Sequence, residues 1–288
     1  MKMLATLLLL IFSLHTHAKQ SYVRVYNFKS PYGVDWSAPR SLVLSALKNK
    51  LGLSLGLTKN KRIIGHNAVE ISCFPPNGNE IKKLAGMASQ DSTGEALKLL
   101  FSQNSGLGVL FHRFKGRLET EDELKGEIKQ GLKTGDVNSM TYQTTYKKCQ
   151  KLLLHFDKWV EKKAYLNYGL NEAPLKYTGA GCSAFAMTFL KDFEIAPKSD
   201  YVNWQKTVRI NPSLIGPHNR VSYTSSNQNY HPVKKGEGLG ILEILLQSQW
   251  ASSYNKDAVE LTFWSPDQAY EWVNARLPEG STDLRLKN

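Results

Sequence analysis

The sequence predicts an α+β fold. Three observations carry that expectation: short runs rich in Val, Ile, Tyr and Phe between turn residues, segments with apolar residues at helical spacing, and no internal repeat or low-complexity tract. The first eighteen residues read separately from the rest. Lys2, the apolar run "MLATLLLLIFSL" and the small residues before a cut after Ala18 have the layout of a secretory signal peptide. The apolar run is too short for the roughly 20 residues that span a bilayer, and no later stretch is longer, so no transmembrane segment is expected in the mature chain. Residues 19–288 fit one domain with elaborations.

The elements follow in order. "SYVRVYNF" is an extended opening and "APRSLVLSALKNKLGL" a short helix. "KRIIGHNAVEISCF" crowds Ile and Val between turn signals and is ended by Pro75 and Pro76, which predicts a buried strand. "TGEALKLLFSQNSG" is a helix stopped by Gly106, and "GLGVLFHRFKG" is the next strand. From Glu121 the pattern turns helical and charged. "TTYKKCQKLLLHFDKWVEKKAY" places apolar residues at 149, 152, 153, 156, 159 and 160, the spacing of one buried helix face. Residues 197–236, rich in Pro, Asn and Ser, read as a loop-rich insertion that could cover a site. "VELTFW" is a strand, and "SPDQAYEWVNARL" a helix with Ser265 as its cap and Pro266 at its first position.

Charge narrows the partners. Lys and Arg number 37 against 25 Asp and Glu, a net charge of +12 of which only Lys2 lies in the leader. An exported basic protein favours anionic partners such as an envelope polymer, an acidic peptide or lipid headgroups. The basic residues are scattered and form no nucleic-acid motif, so no nucleic acid is expected. Three cysteines, Cys73, Cys149 and Cys182, are an odd count for an oxidising compartment, so one is left without a partner inside the chain. A Cys73–Cys149 disulfide with Cys182 as thiol is the economical arrangement; three free thiols and other pairings remain open.

Cys182 stands at a telling junction. Gly179, Ala180 and Gly181 precede it, and Phe185, Ala186, Phe189, Leu190 and Phe193 then recur at helical spacing, so the thiol sits in the first turn of a core helix. Backbone amides and partial positive charge at that position favour a thiolate and can hold an oxyanion, while the glycines leave room for a substrate backbone. The alternative is a small apolar residue packed in a helix. A nucleophilic cysteine also needs a base. Of the histidines beyond the leader, His66 is the one set in an otherwise apolar strand and is the candidate. His155, His218 and His231 read as structural or solvated.

"GHNAVEI" on a strand, a second strand after it, and a Tyr-rich loop leading to "GCSAFA" on a helix together resemble the circularly permuted branch of the NlpC/P60 papain-like superfamily. The resemblance covers roughly residues 60–195. It implies a papain-like, five- or six-stranded, mostly antiparallel sheet packed against helices, with the histidine strand before the cysteine helix, and Cys182 and His66 meeting where helix and sheet touch. Members act as peptidases, amidases or lipid acyltransferases. Gly181 stands where several permuted relatives have Asn. A polar group on the next strand orients the histidine in the family, and His112 is placed to do so here; exposure at a strand edge is its other reading. Glu70, four residues beyond His66 on the strand, is too far along it, and Asn67 points to the opposite face.

The resulting expectation is an exported, periplasmic or secreted thiol hydrolase or acyltransferase. His66 activates Cys182, the thiolate attacks an amide or ester carbonyl, and amides near Ser183, next to Gly181, hold the oxyanion. The substrate is expected in the cell envelope, a peptidoglycan peptide ahead of an acyl lipid. No cofactor and no metal are expected, since the sequence has no HExxH, CxxC, GxSxG or P-loop pattern. The competing reading is an envelope- or glycan-binding module of the same fold with an inactive pair, which a buried or disulfide-bonded Cys182 would favour.

Overall fold

The two most apolar runs near the start of the chain lie side by side. Residues Ser21–Phe28 (β1) and His66–Cys73 (β2) pair antiparallel, with Phe28 opposite His66. They form the middle of a sheet completed by β3 (Ile81–Ser89), β4 (Phe114–Glu119), β5 (Val137–Thr144) and β6 (Asn167–Tyr168). A separate two-stranded sheet pairs β7 (Gln205–Ile210) with β8 (Val259–Trp264), and β9 (Asp283–Leu286) ends the large one. The large sheet has seven strands instead of the five or six that the resemblance implies, and runs β6-β4-β3-β2-β1-β5-β9, antiparallel throughout except for the β5–β9 pair. The computed structural model describes residues 20–58, 62–76, 78–90, 92–102, 104–170, 172–216 and 240–286. The leader at 1–18, residues 217–236 of the expected insertion, and His218 and His231 lie outside them.

The helices are α1 (Pro39–Ser54), α2 (Ser92–Leu97), α3 (Glu121–Thr134), α4 (Tyr146–Glu161), α5 (Cys182–Lys191), α6 (Lys198–Tyr201), α7 (Ile241–Leu245) and α8 (Pro266–Asn274). Strand alternation divides them between the two faces of the sheet. Val23, Val25, Val69 and Ile71 pack against α4, α5 and α8 in the main core, while Tyr26, Phe28 and Ala68 meet Leu124 and Ile128 of α3 on the other side. Helix α3 begins with a reciprocal cap, Thr120 and Glu123 each accepting from the other's backbone N–H. It ends at Gly135, whose φ of 73° suits a residue without Cβ. This is the α+β arrangement the sequence predicts, with a mostly antiparallel sheet packed against helices. No helix among the described residues is long and apolar enough to cross a membrane.

Two expectations need correction. "GLGVLFHRFKG" is not one strand: Leu107–Phe111 is a 3-10 turn, and β4 starts only at Phe114. An apolar run without alternation does not separate strand from buried turn, and here Leu107 and Phe111 are drawn into a second core. Residues 197–216 are not a surface loop either. They hold α6 and β7, and Trp204, Val208, Ile210 and Leu214 are buried. The strand pairing with β8, about fifty residues later, supplies the partner that local sequence could not reveal. The second core joins α1, the 107–111 turn, β7, α7 and β8 into a layer of its own.

Cys73 at the end of β2 and Cys149 in α4 form the disulfide, closing a separation of 76 residues. It ties α4 to the central strand, and a loop of that length contributes roughly 4 kcal/mol by its effect on the unfolded chain. Reduction, or the double substitution Cys73→Ala/Cys149→Ala, is expected to lower unfolding free energy by roughly 2–5 kcal/mol, read from urea unfolding, with a steeper slope because the unlinked chain exposes more surface.

Candidate active site

Helix α5 packs on the central strands with its first turn against β2, its N-cap Gly181 in extended conformation. The chain reaches it through Gly179, whose φ of +143° excludes other residues and whose missing Cβ leaves room for Asn167 O, 2.6 Å from where that atom would stand. The space these glycines leave is thus taken by the protein's own backbone, not reserved for a substrate as the sequence suggested. Cys182 is a free thiol and Ser183 is the next residue of the first turn.

A line of buried amides fixes this helix start. Ser183 Oγ donates to Asn67 Oδ1 at 2.6 Å, Asn67 Nδ2 to Asn27 Oδ1 at 2.8 Å, Asn27 Nδ2 to Asn138 Oδ1 at 3.0 Å, and Asn138 Nδ2 to Tyr270 O in α8 at 2.9 Å. Asn67 therefore does point to the opposite face from His66, where it holds the cysteine helix. Ser183 is a positioning residue at this site as well as a neighbour of the thiol, its Oγ 3.8 Å from Sγ.

His66 is buried at the start of β2 and lies within hydrogen-bond reach of the Cys182 thiol. Its Nε2 is 2.6 Å from Glu119 Oε2, an ion-pair contact off the line of a well-aligned hydrogen bond. Glu119 lies two strands away, on β4, and reaches across β3 where Gly86 stands opposite it. A Cβ on Gly86 would collide with Glu119 Oε2 and stand 3.0 Å from His66 Nε2, so the contact exists because that position has no side chain. Arg62 closes the line, its Nη2 2.8 Å from Glu119 Oε1 and 2.6 Å from Glu127 Oε2 on α3.

Tyr168 on β6 completes the site. Its hydroxyl stands beside the thiol and the backbone N–H of Cys182. Burial and the adjacent thiolate hold the phenol well above 10.0, so it stays a neutral donor.

The electrostatics favour an ion pair. Burial alone would push the Cys182 thiol up. The adjacent His66, hydrogen bonds with that imidazole and Tyr168, and the Asn67 backbone N–H outweigh burial and bring the thiol from 9.0 to about 6. For His66, burial and Arg62 push downward, but Glu119 and Cys182 hold it above 6.5. Burial would raise Glu119, yet His66 and Arg62 keep it far below 4.5. The three groups stabilise one another's charged forms.

His112 does not join this site. It follows the 3-10 turn, and its Nε2 lies 3.0 Å from Glu95 Oε1 on α2. The orienting role expected of it falls to Glu119, whose place became readable only once β3 was set between β2 and β4. His155 is structural, its Nδ1 3.0 Å from Tyr177 Oη and its ring packed on Phe189 and Phe193.

Cys182 faces a cavity of about 640 Å³ with Ser183, Gly181 and Tyr168 at its inner end. The far walls come from the second core and its surroundings: Trp36, Leu42 and Val43 from one side, Leu107, Leu170 and Phe263 from others. Cys182 is buried, with 6% of the residue exposed, which is the outcome named above as favouring the binding module; against that, it is not disulfide-bonded and it lines the cavity. No group of three or more His, Cys, Asp or Glu among the described residues is placed to hold a metal ion. No protein-family model, curated protein or solved structure matches the chain.

The pH dependence of thiol chemistry checks the pair. The lowered thiol puts the inflection in iodoacetamide alkylation of Cys182 at about 6, the rate rising as pH climbs through that value. In His66→Ala the burial remains and the cation is gone, so the inflection is expected above the ordinary thiol value of about 8.5. A parent inflection at or above that value would refute the ion pair.

Gly86→Ala tests the Glu119 contact. The new methyl displaces the carboxylate from His66, and the alkylation inflection is expected to move upward by about a unit while the disulfide and circular dichroism are kept. An unchanged inflection would mean that Glu119 does not support the imidazole.

Proposed function

We propose that the protein is a thiol acyl-transfer enzyme with Cys182 as nucleophile, His66 as its proton partner and Glu119 as the group that orients and charges His66. The single observation that carries this reading is the buried Cys182–His66–Glu119 line ending on a thiol that opens into a cavity. The thiolate attacks a carbonyl carbon, and the developing oxyanion is met by the Tyr168 O–H and the free amides at the start of the cysteine helix near Ser183. Imidazolium His66 gives its proton to the leaving group as the C–O or C–N bond breaks, leaving a thioester on Cys182. Water or another acceptor then gives its proton to His66 as it attacks the thioester, which releases the acyl group and restores the pair.

The lining decides between substrates. A peptidoglycan peptide brings carboxylates and amides that need polar partners when buried. This cavity is walled mostly by aliphatic and aromatic side chains, which suits a hydrocarbon chain. A long-chain acyl ester or amide of a membrane lipid is therefore the substrate class, ahead of the peptide that the sequence suggested. The order of histidine strand before cysteine helix supports kinship with the circularly permuted NlpC/P60 branch and its papain-like fold. The disulfide supports an exported, oxidising location.

Hydrolysis of p-nitrophenyl esters tests the reading. kcat/KM is expected to be at least about tenfold higher for the palmitoyl than for the butyryl ester, since each buried methylene contributes roughly 0.8 kcal/mol. Hydroxylamine-labile acylation of Cys182 should appear by mass spectrometry. Tyr168→Phe is expected to lower kcat about a hundredfold. Cleavage of muropeptides without any thioester from long-chain esters would overturn the acyl assignment.

A further inference from the structure

Helix α1 is apolar on two sides. Its inner side sends Leu42 and Val43 into the second core, and these residues with Leu47 also wall the cavity. On the outer side Leu44, Lys48, Leu51 and Leu55 recur at i, i+4, i+7 and i+11, one stripe along the helix. The neighbouring α7 repeats the arrangement: Ile244 is buried, Ile241 lines the cavity, and Leu242 and Leu246 face outward. The two helices pack together, with Arg40 N donating to Gln247 O at 3.2 Å. These five outer leucines are between 54% and 79% exposed. Single exposed leucines are ordinary, but a stripe continued on an adjacent helix is not.

We propose that the outer face of α1 and α7 docks on an anionic lipid bilayer and that an acyl chain enters the cavity past these two helices. The second half rests on the acyl-transfer reading; the docking does not. Charge selects this occupant over another apolar protein surface. Helix α1 contains Arg40, Lys48 and Lys50 and no acidic residue, and the whole chain carries +12. Lys48 lies within the leucine stripe, its Nζ 4.8 Å from the centre of the Tyr32 ring. A lysine among leucines places its aliphatic stem with them and its ammonium at headgroup level. The acidic residue on α7 is Glu243, exposed and close to the helix's own cap, Gly240. Geometry ties docking to the cavity, because the helices that present the outer leucines also form its wall. A chain leaving the bilayer there meets apolar surface along its path.

The test is flotation of the full mature chain with vesicles of equimolar phosphatidylglycerol and phosphatidylcholine. The parent and Cys182→Ala are expected to float alike, because docking needs no reaction. Leu44→Ser/Leu51→Ser/Leu55→Ser should lower the partition coefficient at least about tenfold, and Leu242→Ser/Leu246→Ser should also lower it. Both leucine variants should keep the parent's pH profile of Cys182 alkylation, which shows that the fold and the thiol pair survive. A parent that does not float would overturn the proposal, as would leucine variants that float as well as the parent. A parent that sediments as a dimer, is made monomeric by the leucine changes and ignores vesicles would assign the face to a second copy. Flotation without acylation of Cys182 would remove the acyl reading and keep the docking surface; ester turnover without flotation would do the reverse.

Discussion

The hydrogen bond from Ser183 Oγ to Asn67 Oδ1 is the contact on which the site depends. It joins the first turn of the cysteine helix to the strand that carries His66, and Asn67 is the residue after that histidine. Three further side-chain bonds carry the constraint across β1 and β5 to α8. Every amide in this line is buried and each has a partner, the condition under which a polar chain in a core fixes one geometry. An unpaired member would cost roughly 1–3 kcal/mol. The helix start therefore cannot slide along the sheet without breaking the line, and the distance from thiol to imidazole is held by the same amides.

A second constraint acts on the other face. Alternation sends His66 and Asn67 to opposite sides of β2, so one residue pair serves both faces of the sheet. On the far side His66 needs a carboxylate, but the neighbouring strand offers none within reach. The position on β3 that lies between is Gly86, and Glu119 reaches over it from β4, two strand spacings of about 4.8 Å away. Arg62 and Glu127 then share the charge of Glu119 with α3. Burial opposes every charged group in this line. The line persists because each charge stands beside an opposite one, a balance that fails if any member is removed alone.

Candidates marked by local sequence were legible; contacts set by pairing across the sheet were not. Cys182 and His66 stood out because a thiol in the first turn of an apolar helix, and an imidazole in an apolar strand, are unusual in their own surroundings. Glu119 ends a short charged strand, "FKGRLE", and nothing near it in sequence marks it as buried; only the register with Gly86 does. Strand β5 was missed for a related reason. "VNSMTYQT" is buried on both faces, but Asn138, Ser139 and Thr141 are paired with other side chains, so the apolar alternation that signals a strand is absent. Strand β7 was hidden because its partner lies some fifty residues downstream. Tyr168 sits in a loop noted for its tyrosines, but which of them would face the thiol depends on the two-residue pairing of β6 with β4.

The second core closes the candidate site. The sheet, α4 and α5 suffice to place a charged thiol, and on their own they would leave it open to water on the helix's free side. Helix α1, the 107–111 turn, α7 and the β7–β8 pair close that side and turn it into an apolar chamber. A thiolate held in such surroundings has its charge met by His66, by the Asn67 backbone N–H and by Tyr168 instead of by solvent. An acyl carbonyl arriving there needs little water displaced from its neighbours. The side chains that exclude water also make the wall apolar: Leu42, Leu107 and Phe263 offer no side-chain hydrogen bond, and Trp36 has only its indole N–H to donate. On the acyl-transfer proposal, selection for a long chain and protection of a thioester from premature hydrolysis would be one property of this wall, and a polar residue in it would diminish both together.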